Sequence, residues 1–457
     1  MQVKAIGAAA KGYGLGNCPY SGRRRTLKVL MTGRFGTSHR FALSLLALLA
    51  ALAYGPMLTI PLLEDDYPNL WQAQQLGSPA QAIALLHNPV FRLRATSFWI
   101  MFLLWRVGKL APLVYHLASL LLHIANTWIL YGICLAWPRM RDGAFWAAAF
   151  FAVAEGHQEA VMWFSAVNEL LQFLFGMGAL WCWTRLQTRD RSWGLHLAGV
   201  GLFALALLSK ESAVAILPLF LLTGRHKDWR RTAGLLIPYL VLAAIAVAEV
   251  IASRDTSFRF SDGSFSLHAP FWIIWPRNYF RLLWIWGLVA AGAILLARDR
   301  LLGGSAIVAA AWIGIGLAPY SFLTYSTQIP SRQTYLASGG LALLFGLAMA
   351  YWWAQAGSRR GVVAAVAAVV LLHNVGYLWT RKRTQFLERA APTEQLIAVA
   401  RRTPGPIWVR CFPRNHFIAE EAVHLAAGHA PSDLVWDQEE AARRHAPAFC
   451  YEEGREK

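Results

Sequence analysis

Residues 41–67 read FALSLLALLAALAYGPMLTIPLLEDDY, an uncharged run from Phe41 to Leu63 that ends on Glu64-Asp65-Asp66-Tyr67. A run of this length is enough to carry a helix across about 30 Å of hydrocarbon. The three carboxylates then stand where the chain leaves the bilayer. Insertion does not need acids there, and they contribute little to orientation. Adjacent acids at a membrane surface are either a solvated helix exit or a working pair, in which one group takes a proton or holds a cation while its neighbour raises its pKa.

Working outward, apolar residues make up 56% of 457 positions and charged residues 15%, against roughly 45–50% and 25% in soluble domains. This balance defines an all-α polytopic membrane protein. Runs at about 113–136, 143–155, 168–184, 193–209, 212–223, 232–252, 271–297, 304–323, 334–354 and 361–379 bring the expected transmembrane helices to about eleven.

The net charge of +18 is distributed for a membrane, not for nucleic acid. Residues 1–40 hold eight Lys or Arg and no acid, and residues 381–457 are nearly balanced. Between them, basic residues concentrate in every second short loop: Arg139/Arg141, Arg185/Arg189/Arg191, Arg225/Lys227/Arg230/Arg231, Arg298/Arg300 and Arg359/Arg360. This is the positive-inside pattern. It places the N-terminus in the cytoplasm and the Asp65-Asp66 loop outside. An odd helix count places the C-terminal tail outside as well, in a bacterial-type inner or plasma membrane. Of the acids in residues 41–380, only Asp142, Asp190, Asp228 and Asp299 fall in the cytoplasmic loops, which hints at an acidic working face outside.

Three regions follow. Residues 1–40 are basic, Gly-rich and without apolar period, so disorder on the cytoplasmic side is expected, with Met31 a possible alternative start. Residues 41–380 form the transmembrane domain, with a long first outer loop at 64–112 whose interleaved aromatic and basic residues suit an interfacial amphipathic helix. Residues 381–457 return to soluble composition. A helix over Thr393–Arg402, a strand over 407–412, a helix over Ala419–Ala427 and a strand over Asp433–Trp436 would make a small α/β appendage. Its size is marginal for independent folding, so it should dock on the membrane domain. Cys411 and Cys450 share this tail and are either bonded or free; Cys18, Cys134 and Cys182 read as unpaired. No Walker, G-x-G-x-x-G, G-x-S-x-G, C-x-x-C or H-E-x-x-H motif occurs.

Further polar groups sit in or beside apolar runs. His116 and His123 are seven apart and share a helix face with Asn126; a hydrogen-bonded packing seam fits them better than metal ligation. Glu155, His157 and Glu159, followed by Asn168-Glu169, fall in an outer turn, as a cap or as part of a water-filled cleft. Lys210 lies in Ser209-Lys210-Glu211-Ser212 at a hairpin tip, well placed to hold a lipid phosphate. Its pairing with Glu211 is the alternative, weakened because adjacent helical residues do not face one another. Arg277 and Arg281, four apart on one face, suit a phosphate or simple snorkelling. Arg332 is the one charge of Ile-Pro-Ser-Arg-Gln-Thr-Tyr, as an anchor or an anion reader.

Taken in order, the acidic pair after the first helix, Tyr115-His116-Leu-Ala-Ser-Leu-Leu-Leu-His123, His157-Gln-Glu159-Ala-Val-Met-Trp163, Ser209-Lys210-Glu211-Ser212 and Pro330-Ser-Arg332-Gln-Thr-Tyr335 resemble the GT-C superfamily of polytopic glycosyltransferases. They are most similar to its protein O-mannosyltransferase-like, tetratricopeptide-bearing branch, over about residues 41–380. The resemblance implies a GT-C-like fold and transfer of a hexose or pentose from a polyprenyl-phosphate donor to a hydroxyl of a glycan, lipid or protein acceptor outside. By position it implies Asp65 or Asp66 as general base, or both as ligands of a divalent cation. It places Glu159, with His157, at the acceptor or a cation, and Lys210 and Arg332 near the donor phosphate; spacing adds Arg277 and Arg281 to these. The tail lacks the 34-residue repeat of that branch. A lipid or solute transporter or flippase, or a catalytically inactive GT-C relative, is the alternative.

Overall fold

The structure, a computed structural model, describes residues 35–187, 192–223, 229–253, 265–324 and 326–451. Met31, Arg23–Arg25, Arg189, Arg191, Arg225, Lys227, Tyr325 and most of the polar loop 253–270 lie outside these residues. Two units are distinguished, Met1–Leu45 and Leu46–Lys457. Of the first, the described part is the opening of α1 (Phe35–Tyr54), which starts inside the stretch expected to be disordered to residue 40.

Three α-helices fill the segment expected at 64–112: α2 (Asp66–Gln75), α3 (Pro79–Ala84) and α4 (Ala95–Gly108). Ser78 caps α3, its Oγ accepting from the Gln81 N–H at 3.3 Å, with Pro79 in the first turn where no amide is needed. The membrane domain continues through α5 (Pro112–Ala136), α6 (Ala144–Val153), α7 (Gln158–Met162), α8 (Val167–Leu186), α9 (Trp193–Ser209), α10 (Leu217–Thr223), α11 (Trp229–Ala252), α12 (Phe271–Ala297), α13 (Arg300–Leu317), α14 (Tyr335–Gln355) and α15 (Arg360–Tyr377). Among the described residues, seven helices are long and apolar enough to cross a membrane. An eighth is added if the pair Glu155–Met162 and Phe164–Leu186, bent by 100°, counts as one span. Helices therefore occupy all the apolar runs, but several are short. The run at 143–155 gives only the ten residues of α6, about 15 Å long, and the run at 212–223 breaks into a 3₁₀ turn and α10.

The core is built around α14, 78% of whose apolar window is buried. Small residues let its backbone approach its neighbours. A Cβ at Gly340 would meet the Ala309 carbonyl oxygen of α13 at 2.6 Å, and one at Gly346 would meet Ala147 Cβ of α6 at 2.7 Å. In hydrocarbon such close van der Waals packing replaces the hydrophobic drive. A polar seam crosses the same region. The Tyr335 hydroxyl donates to His123 Nδ1 at 2.7 Å and accepts from Asn126 Nδ2 at 3.2 Å, while His123 Nε2 donates to the Ala152 carbonyl at 3.1 Å. His116 Nε2 donates to the Ile60 carbonyl at 2.9 Å. Both histidines are thus spent on hydrogen bonds between buried segments.

The tail does not begin where the composition changes. A π-helical turn at Leu378–Lys382 joins α15 to α16 (Arg383–Ala400), so one rod leaves the membrane domain and becomes the first element of the tail. β1 (Ile407–Cys411), α17 (His416–Ala427), β2 (Leu434–Val435), α18 (Gln438–Arg443) and β3 (Ala448–Cys450) follow. The strands form a parallel sheet in the order β2-β1-β3, and β3 is an element the sequence pattern had not marked. Cys411 and Cys450 are disulfide-bonded across β1 and β3. Leu62, Tyr67, Leu70 and Ala73 pack with Ile397 of α16 and Ala422 of α17, fastening the tail to α2 and the chain just before it.

Gly346→Leu should disrupt the α6–α14 contact, because side-chain atoms would occupy space now held by backbone. A destabilisation of about 1–3 kcal/mol or more is expected. Gly361→Leu, at a position with open space around its Cβ, should leave the thermal unfolding of the detergent-solubilised protein unchanged. Equal unfolding temperatures for the two variants would contradict this packing account.

Candidate functional site

The acidic motif sits on a left-handed turn. Glu64 has φ of 37°, an uncommon backbone for a residue with a Cβ, and α2 begins two residues later. Successive helical positions differ by about 100°, so the two aspartates face different surroundings. Asp66 is fully buried. Its Oδ2 accepts from the Leu63 N–H at 2.8 Å, and its Oδ1 accepts from the N–H and Oγ of Ser165 at 2.8 and 2.6 Å. Burial pushes its carboxyl up to about 7, against these three donated hydrogen bonds. Asp65 instead faces a cavity. Burial and the adjacent Glu64 carboxylate raise its pKa, while Arg332 and Arg389 lower it.

That cavity has a volume of about 1240 Å³ and is lined by Asp65, Trp163, Asn168, Lys210, Tyr320 and Arg332, among others. Lys210 is buried and ion-paired with the buried Glu169; its ammonium lies 4.7 Å from the centre of the Tyr320 ring. The Tyr320 hydroxyl donates to the second Glu169 oxygen at 3.2 Å. Beside them Arg94, 7% exposed, forms a forked pair with Glu211. Arg332 lies 4.8 Å over the Trp163 ring and 3.7 Å from Glu159. Val247 and Ile251 of α11, with Phe322 and Leu323, supply an apolar wall. The chamber therefore combines one open carboxylate, three cations and an apolar flank.

Of the residues singled out by sequence, Asp65, Lys210 and Arg332 meet at this cavity. Glu159 stands just behind, where its Oε2 accepts from the Arg332 N–H at 3.2 Å, and it lines a neighbouring cavity of about 640 Å³ instead. His157 does not face water. It is fully buried, its Nε2 2.6 Å from Ser338 Oγ and its ring packed on Phe151 and Tyr335. Arg277 and Arg281 are likewise outside the chamber. They hold the chain around residues 327–329: Arg277 Nη1 donates to Thr327 Oγ1 at 2.9 Å and Arg281 Nη1 to the Ile329 carbonyl at 2.8 Å. Guanidinium pairs four apart serve a loop as readily as a phosphate, and spacing alone did not separate the two.

Sequence reasoning placed Glu169 beside a water-filled cleft but missed its pairing with Lys210; it missed Arg94, Tyr320 and Trp163 as cavity residues, and Arg389 and Arg414 as partners of Glu64. Arg389 Nη2 is 2.7 Å and Arg414 Nε 2.9 Å from the Glu64 carboxylate. A signal existed for Glu169 and Lys210, since each is a charge inside apolar sequence and must find its opposite there. The tail arginines gave none, because they look like ordinary surface charges.

The two aspartates do not fit a shared divalent cation. Both oxygens of Asp66 are taken by protein donors, and among the described residues no group of three or more His, Cys, Asp or Glu side chains converges as a metal site.

Comparison with known proteins agrees with this architecture. ArnT from Cupriavidus metallidurans superposes with a TM-score of 0.54 in its apo state, at 14% identity over 91% of this chain and 90% of that one. Its undecaprenyl-phosphate-bound form gives 0.51 at 15% identity, covering 90% of each. The oligosaccharyltransferase AglB from Archaeoglobus fulgidus, in complex with an inhibitory peptide and a dolichol-phosphate, gives 0.52 at 11% identity, covering 85% of this chain and 63% of that one. By sequence, the Drosophila melanogaster protein O-mannosyl-transferase Tmtc1 is 25% identical over 255 residues, 46% of this chain and 29% of the relative. The chain thus spans less than a third of that relative. No family model matches the chain. The chain thus shares the fold of ArnT and AglB, and seven of its described helices are long and apolar enough to cross a membrane.

Asp66→Asn should destabilise the fold by about 1–3 kcal/mol, because an amide NH₂ would replace an oxygen facing either Leu63 N–H or Ser165. Asp65→Asn should not. The pH dependence has a fixed sign. A carboxyl at about 7 when folded and about 3.9 when unfolded contributes stability below pH 4 that is lost as pH rises to 7. Thermal unfolding from pH 4 to 8 should show that loss in the parent and not in Asp66→Asn.

Proposed function

We propose that this chain is a membrane glycosyltransferase that moves a sugar from a polyprenyl-phosphate-linked donor to an acceptor hydroxyl on the extracytoplasmic side. The observation that carries this is the shared chamber: Asp65, whose carboxylate has no hydrogen-bond partner among the described residues, opens on the same cavity as Lys210, Arg94 and Arg332. The fold shared with lipid-phosphate-binding ArnT and AglB supports it.

In this chemistry the acceptor hydroxyl gives its proton to Asp65 as its oxygen bonds to the sugar's anomeric carbon. The bond from that carbon to the phosphate oxygen breaks, and its electron pair leaves with the polyprenyl phosphate. Lys210, Arg94 and Arg332 offset the charge that develops there. The apolar wall of α11 with Phe322 and Leu323 lets the polyprenyl chain enter from the bilayer. Asp66 is the scaffold of the pair and Asp65 its base; Glu159 orients Arg332.

The orientation belongs to the same proposal: about eleven crossings, the N-terminus cytoplasmic, and the tail in the extracytoplasmic space of a bacterial-type membrane. The Cys411–Cys450 disulfide supports this, since such bonds persist in oxidising compartments. The sugar is a hexose or pentose, and the acceptor a glycan, lipid or protein.

Asp65→Asn should lower turnover by about 10²–10⁴ with thermal unfolding unchanged, measured as release of labelled sugar from a polyprenyl-phosphate donor in detergent. Full turnover in that variant would overturn the assignment, and no donor consumption by the parent protein with any hexosyl or pentosyl donor would favour a transporter or an inactive relative.

A further inference from the structure

Glu64 is adjacent to the base yet is not part of the chamber lining. It is 13% exposed at its side chain and held by two guanidinium groups from the tail. Arg389, on α16, contacts both of its oxygens, Nη2 to Oε2 at 2.7 Å and Nε to Oε1 at 3.2 Å. Arg414, just before α17, adds Nε at 2.9 Å from Oε1. Arg389 also lies 4.7 Å over the Trp163 ring, a wall residue that Arg332 covers at 4.8 Å, and 3.9 Å from Glu159.

Beside these pairs, the tail is held by the apolar cluster of Leu62, Tyr67, Leu70 and Ala73 with Ile397 and Ala422, and by the Tyr67 hydroxyl donated to Glu394 at 2.9 Å. What the arginines change is charge. An uncompensated Glu64 carboxylate next to Asp65 would disfavour ionisation of Asp65, because like charges within about 4–6 Å raise one another's pKa. The other charged groups about Asp65 are Asp66, Arg332 and, across the chamber, Arg94, Glu211, Lys210 and Glu169. The last four are matched among themselves.

We propose that Arg389 and Arg414 are positioning residues for Asp65: by holding Glu64 as a paired anion outside the chamber, the tail keeps the neighbouring carboxylate charged and open to a substrate hydroxyl. The proposal rests on Asp65 acting as base, and it makes residues 383–451 part of the active site and not an accessory domain.

The test reads protonation directly. A hydrophobic carbodiimide adds to protonated carboxyls, forming a stable N-acylurea, so labelling of Asp65 followed by peptide mass spectrometry across pH 4 to 9 gives its midpoint without any donor. In Arg389→Gln the midpoint should move up by about one pH unit, and the acid limb of the turnover profile should move up with it. In the Glu64→Gln, Arg389→Gln double variant both should return towards the parent values. Glu64→Gln alone, with both arginines intact, should move the midpoint down. An unmoved midpoint in Arg389→Gln overturns the proposal. So does a shift that the double variant fails to reverse, which would mark a structural loss. Should Arg389→Gln not fold, an unmoved midpoint in Glu64→Gln overturns it as well. Because labelling needs no turnover, these outcomes are separate from full activity in Asp65→Asn, which would remove the base itself.

Discussion

The buried carboxylate of Asp66 is the interaction on which the site depends. With one oxygen on the Leu63 N–H and the other on Ser165, it ties the exit of the first membrane helix to the turn between α7 and α8. A carboxylate in that position is tolerable only when it is hydrogen-bonded. Once Asp66 is fixed inward, helical geometry sends Asp65 outward, and the turn at Glu64 is left for the tail to hold. Two neighbouring acids of identical chemistry thereby meet opposite surroundings.

The chamber beyond Asp65 follows a related rule. Its cations reach it already paired, Lys210 with Glu169 and Arg94 with Glu211, because an unmatched charge at the edge of hydrocarbon is costly. On the proposed function, an anionic lipid headgroup entering there would meet a balanced network and gain by redistributing it. The aromatic groups Trp163 and Tyr320 add a second kind of support, since each lies under a cation.

Much of this was legible in the sequence, and the limits have physical causes. The helical runs, the face shared by His116 and His123, and the gathering of Asp65, Lys210 and Arg332 could be read because hydrophobic length, helical periodicity and isolated charges are local signals. His157 could not be told from a water-facing residue, since a short turn before a helix looks alike whether it points out or in. Arg277 and Arg281 had the spacing of a phosphate clamp, but nothing in spacing records that a loop carbonyl and Thr327 lie within reach. Arg389 and Arg414 pair with Glu64 across more than three hundred residues. No local pattern encodes such a contact, and the composition break near residue 380 concealed that α15 and α16 are one continuous rod.

On the proposed function, donor phosphate and base occupy one chamber, and a crystal structure of the protein with a non-transferable polyprenyl-phosphonate sugar would show whether they do. The phosphonate is expected within hydrogen-bond reach of at least one of Lys210, Arg94 and Arg332, with the anomeric carbon turned towards Asp65. A phosphonate seated elsewhere, for example beside Arg277 and Arg281, or an anomeric carbon facing away from Asp65, would contradict the account.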